Sequence, residues 1–90
     1  MKISKKKKEK ISEQILALLY LITPKSIFTS HIAQEIARDE EFTKKLLLEL
    51  KSKKLVVEIK KNPKGILYLR RSRWKISDAA YNAYKKYQLN

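Results

Sequence analysis

Residues 55–71 read LVVEIKKNPKGILYLRR. Leu55, Val57 and Ile59 alternate with Val56, Glu58 and Lys60, the two-residue period of a strand whose successive side chains point to opposite faces. Asn62-Pro63-Lys64-Gly65 follows. Asn at the first position and Pro at the second suit a type I turn, and Gly supplies the left-handed fourth residue. Ile66 to Arg71 then returns as a second strand. The spacing predicts an antiparallel hairpin turning at Pro63-Lys64. It sets Ile59 opposite Leu69 on the inner face and Glu58 opposite Arg70 on the outer one.

Upstream, Thr43, Leu46, Leu47 and Leu50 fall on one stripe of a helix that Asp39 caps, with Phe42 beside the stripe. Glu40 and Glu41 occupy its first turn, where the helix dipole favours acids. Before it, Thr29 is the expected N-cap of a short helix from Ser30 to about Ala37, with Ile32, Ala33 and Ile36 inward. Ser26-Ile27-Phe28 is a short extended segment. Ile11, Ile15, Leu18, Leu19 and Ile22 recur at helical spacing and predict a first helix from about Lys8 to Ile22, ended by Pro24. Its second half is apolar nearly all round, because Leu16, Ala17, Tyr20 and Leu21 lie off the main stripe. Downstream, Ser77 caps a last helix, Asp78 to about Gln88, with Ala80, Ala83, Tyr84 and Tyr87 on one side. Residues 1–9 are expected to be a flexible Lys-rich tail and 10–90 a single domain.

Composition narrows the chemistry. The 90 residues contain no Cys, one His and one Gly. Disulfides, zinc knuckles and cysteine nucleophiles are excluded, and phosphate-binding and dinucleotide-binding glycine loops need at least two glycines. Glu40 and Glu41 are adjacent, so they point to different sides of a helix and do not form an acid/base pair. No catalytic constellation, metal site or cofactor site is expected. The apolar run from Ile15 to Ile22 is too short to span a bilayer, which takes about 20 residues. The Lys-rich start lacks a cleavage pattern, so the chain is read as cytoplasmic.

The net charge of +13 is unevenly placed. Residues 26–50 are net −2, whereas residues 51–75 hold ten basic residues against Glu58, net +9. That density on and around one hairpin exceeds what keeping a sheet edge soluble requires. A polyanion held along a groove edge accounts for it.

The order helix, short strand, two helices joined by a tight turn, hairpin, helix is that of the winged helix-turn-helix. Leu47-x-x-Leu50-x-x-x-x-Leu55-Val56 resembles a recognition helix running into the first wing strand. Arg73-Trp74-Lys75-Ile76-Ser77 is similar to the wing exit of MarR/ArsR-like regulators. The size and the Lys/Ile-rich, Cys-free composition resemble small stand-alone winged-helix proteins of thermophilic archaea and their viruses. The resemblance covers residues 10–88. Lys54 stands where the family usually has Gly, and the recognition helix opens with three acids. A Lys-rich start followed by Ile22-Thr23-Pro24 is also similar, though less closely, to a winged-helix protein of the small ribosomal subunit.

The resemblance implies an α+β winged helix: a three-helix core, a two-stranded wing and a C-terminal helix. It also implies a double-stranded DNA partner and a homodimeric transcriptional regulator without enzymatic activity. The expected DNA contacts are Thr43, Lys44 and Lys45 on the third helix, and Lys60, Lys61, Lys64, Arg70, Arg71 and Arg73 on the wing. The expected dimer contacts are Leu16, Tyr20, Tyr81 and Tyr84. His31, at the start of the second helix, is a solvated residue or a phosphate contact, and Trp74 is a support beneath the hairpin or a base-stacking group. Two other classes stay open: an RNA- or ribosome-associated basic protein, and a protein–protein adaptor whose acidic third helix would dock a partner.

Overall fold

The structure, a computed structural model, describes residues 4–60, 64 and 71–88. Its elements run α1 (Lys5–Ile22), β1 (Ile27–Phe28), α2 (Thr29–Glu35), α3 (Glu40–Ser52), β2 (Val56–Ile59), β3 (Arg73–Ile76) and α4 (Asp78–Gln88). This is the α-β-α-α-β-β-α order that the sequence leads one to expect.

α1 begins at Lys5, three residues before the expected Lys8, and takes residues 5–9 into the helix. Apolar spacing starts only at Ile11, so periodicity is blind to the first turns. The cap marks them: the Ser4 hydroxyl accepts from the Lys7 N–H at 3.2 Å. α2 starts at Thr29, with Phe28 rather than Thr29 in the cap position and no side-chain cap bond. The Thr29 hydroxyl has a different partner, the Trp74 indole. Asp39 caps α3 as expected, its Oδ2 accepting from the Phe42 N–H at 3.0 Å. Ser77 caps α4, accepting from the Ala80 N–H at 3.1 Å.

Both helices of the tight pair end the same way. After α2, the Arg38 N–H donates to the Ala33 carbonyl and the Ala37 N–H to the Gln34 carbonyl. After α3, the Leu55 N–H donates to the Leu50 carbonyl and the Lys54 N–H to the Lys51 carbonyl. Each is a Schellman closure, whose penultimate residue must be left-handed. Ala37 has φ 56° and Lys54 φ 62°, so two residues that carry a Cβ fill positions that favour glycine. Lys54 is the position at which the family resemblance expects Gly.

The sheet order is β1-β3-β2, all antiparallel. Ile59 pairs with Arg73 and Glu58 with Trp74, so the hairpin register differs from the expected one by four residues. The pairing of Ile59 with Leu69 and of Glu58 with Arg70 is therefore corrected; Leu69 and Arg70 themselves, with the turn around Pro63, lie outside the described residues. An even shift preserves face parity, yet the faces are also the reverse of the expectation. Val56, Trp74 and Ile76 are buried, while Val57 is 39% exposed. The wing exit string, with its bulky Trp74 and Ile76, outweighs Val57 and Ile59 in choosing which face turns inward.

The core unites Ile11, Ile15, Leu16 and Leu19 of α1, Ile32 of α2, Leu46, Leu47 and Leu50 of α3, Val56, Trp74 and Ile76 of the sheet, and Ala80 of α4. α4 packs through Ala80, Tyr81 and Tyr84. Ala83 and Tyr87, expected on its inner side, are exposed. Among the described residues no helix is long and apolar enough to cross a membrane.

Candidate nucleic-acid interface

α3 buries one stripe and leaves Glu40, Glu41, Lys44, Lys45, Leu48, Lys51 and Ser52 on its outer side. Lys44 and Lys45 are exposed, as a groove-reading role requires. Thr43 is not: it is 0% exposed, and its hydroxyl donates to the Asp39 carbonyl at 2.8 Å. Its assignment as a base contact is corrected, because the side chain is spent inside the helix start. Leu48, which the sequence reading passed over, is 43% exposed midway along the helix. Its displacement from the Thr43–Leu46–Leu47–Leu50 stripe was the available signal.

The wing cations divide. Lys60 is exposed, 4.0 Å from the Glu58 carboxylate. Lys64 and Arg71 are exposed and Arg73 is half-buried. Lys61 and Arg70 lie outside the described residues. Phe28 brings the root of the wing together: the Arg73 guanidinium lies 4.7 Å and that of Arg71 5.7 Å from its ring centroid, and His31 meets the same ring edge-on at 6.3 Å. A small cleft of about 50 Å³ opens there between Phe28, Ser30, Glu40, Lys44, Arg71 and Ser72. It joins the first turns of α3 to the root of the wing.

Glu58 ties the other side of α3 to the wing. Its side chain is 6% exposed; it accepts from Lys51 Nζ at 2.8 Å and from the Ser72 hydroxyl at 2.5 Å. Burial pushes its carboxyl upward, but the bonds from Lys51 and Ser72 and the charges of Lys51 and Lys60 prevail and hold it below its ordinary value. The sheet therefore carries an ionised acid on its core side, at the point where α3 and both wing strands meet.

Of the expected dimer contacts, Leu16 is 9% exposed within its own chain and belongs to the core, which corrects its assignment to an outer face. The Tyr20 ring lies 5.1 Å from that of Tyr81 and 5.4 Å from that of Tyr84, so these three rings pack α1 on α4. Burial and the charge of Glu13 raise the Tyr84 hydroxyl above its ordinary value. The large apolar residues left exposed on the same two helices are Leu21, 77%, and Tyr87, 84%.

A short helix, a tight turn, a longer helix with one polar face and a wing drawn from the sheet define a winged helix-turn-helix. The chain is similar in fold to solved structures of MepR and ZitR. MepR of S. aureus in complex with DNA matches with a TM-score of 0.73 at 18% identity, covering 87% of this chain and 60% of that one. MepR in its DNA-binding conformation gives 0.70 at 18% identity, over 87% and 54%. An apo double mutant of Lactococcus lactis ZitR gives 0.64 at 17% identity, over 90% and 58%. The chain thus spans between half and two thirds of the length of these structures. No family model and no curated protein matches it.

Proposed function

We propose that this chain is a DNA-binding transcriptional regulator that acts as a homodimer. The observation that carries this reading is where the charge falls on the fold. Residues 26–50, which hold the helix pair as far as Leu50, are net −2, and residues 51–75, which run from the end of α3 through the wing, are net +9. A groove-reading helix flanked by a strongly basic wing suits a duplex: the wing holds phosphates while the helix reads base edges. The wing contacts are Lys60, Lys61, Lys64, Arg70, Arg71 and Arg73. The helix contacts are Lys44, Lys45 and Leu48, the last offering an apolar surface to a thymine methyl. MepR, of like fold, has been solved on DNA, which supports the same partner here. Leu21 and Tyr87 supply apolar surface for pairing two copies through α1 and α4.

The test is selection of bound duplexes from a random pool at about physiological salt, followed by a salt titration on the recovered sequence. An inverted repeat and a steep salt slope support a dimeric DNA reader. Preference for structured RNA would favour the RNA-associated class. A second reading has one observation behind it: Leu48 is an exposed apolar residue midway along α3, a surface that also suits a protein partner. Binding to neither nucleic acid would favour that adaptor role.

A further inference from the structure

The root of the wing holds two like charges on one aromatic ring. Phe28 and Arg73 are directly opposite one another across β1 and β3, so the sheet register fixes the ring beside that guanidinium. Arg71 approaches the same ring from the chain entering β3, and both guanidiniums lie within the roughly 6 Å reach of a cation–π contact. The negative face of the ring favours a cation over it, which fixes where each guanidinium sits. The cleft beside the ring is lined by Arg71, by Lys44 of α3 and by the Ser30 hydroxyl, with Glu40 as the acid lining it.

Resting on the DNA-binding reading above, we infer that Phe28 is a positioning residue for phosphate capture. Its ring holds Arg71 beside Lys44 at the cleft, so that the recognition helix and the wing grip one backbone phosphate of duplex DNA between them. A guanidinium stacked on a ring loses little freedom when it binds an oxyanion, because it is already placed. Glu40 narrows the approach, since a phosphate must enter from the arginine side.

Three variants, Phe28→Leu, Phe28→Tyr and Arg71→Lys, test this on a random-sequence duplex, with binding titrated against salt and thermal unfolding followed in parallel. Phe28→Tyr keeps the ring and should keep the parental slope. Phe28→Leu should lower the slope by about 1 and weaken all duplexes alike, the mark of one lost phosphate contact. Arg71→Lys keeps the charge but not the planar stack and should bind more weakly than the parent. Parental slope in a folded Phe28→Leu protein overturns the inference while leaving DNA binding intact. If that variant does not fold, parental affinity in Arg71→Lys overturns it instead. Absence of salt-dependent duplex binding by the parent overturns both the inference and the reading beneath it.

Discussion

The indole Nε1 of Trp74 donates a 2.8 Å hydrogen bond to the hydroxyl of Thr29, with both residues buried. The bond joins the central strand β3 to the first residue of α2, and therefore joins the wing to the helix pair. An indole N–H is a donor only, and a buried donor without a partner costs about 1–3 kcal/mol. Thr29→Val keeps the shape and removes the acceptor, and should lower unfolding free energy by that amount in chemical denaturation. Repeating the change in a Trp74→Phe background should cost much less, since no donor remains to be stranded. Equal costs in the two backgrounds would show that the bond is not what Thr29 contributes.

The two left-handed residues Ala37 and Lys54 are sites where glycine should help. A residue bearing a Cβ in that conformation costs about 1 kcal/mol. Ala37→Gly and Lys54→Gly should each raise stability by about 0.5–1 kcal/mol, opposite to the effect of glycine inside a helix. Thermal unfolding reads this as a rise of several degrees in a domain of this size. The double variant should show the sum, because each residue closes a different helix.

Glu58 gives the fold an acid-sensitive joint. Its carboxyl is held below the ordinary value of 4.5, so the folded state prefers the ionised form more than the unfolded chain does. The stabilisation is fully present above about pH 4.5 and is lost as pH falls through the lowered folded-state value. Glu58→Gln should therefore be less stable than the parent by about 1 kcal/mol at neutral pH, and the gap should close in acid. A gap that stays constant down to acid pH would assign the loss to packing rather than to charge.

DNA affinity and DNA preference should separate by element. Lys64→Ala with Arg71→Ala removes two wing cations and should flatten the salt slope by about 2 while weakening random and preferred duplexes alike. Lys45→Ala or Leu48→Ala should mainly narrow the gap between preferred and random duplexes, because α3 is the element placed to meet base edges. The measurement is one salt titration per variant on each duplex. A wing variant that binds like the parent would move the protein-docking role ahead.

The order of elements was legible because caps and stripes are local: Asp39, Ser77 and the Leu46–Leu47–Leu50 stripe stand in the sequence as they stand in the fold. What failed was decided by partners far along the chain. Val56 and Val57 are equivalent as neighbours in a strand, and only the opposed Trp74 and Ile76 determine which of them is buried. Thr29 looks like a cap until an indole 45 residues away claims its hydroxyl. Thr43 appeared both on the buried stripe and among the base contacts, and the hydrogen bond to Asp39 settles it in favour of the stripe. Phe28 gave no functional signal at all, because its importance comes from Arg71 and Arg73 meeting it across the sheet.

The row Ile27–Trp74–Glu58 crosses all three strands, and Trp74 at its centre is 0% exposed and the chain's one tryptophan. Intrinsic fluorescence excited at the indole thus reports from a single place, the seam between helix pair and wing. A red shift in emission means that this seam has admitted water. Ligand binding at the outer faces of α3 and the wing leaves the indole dry, so the same spectrum separates a protein that has opened from one that has merely bound.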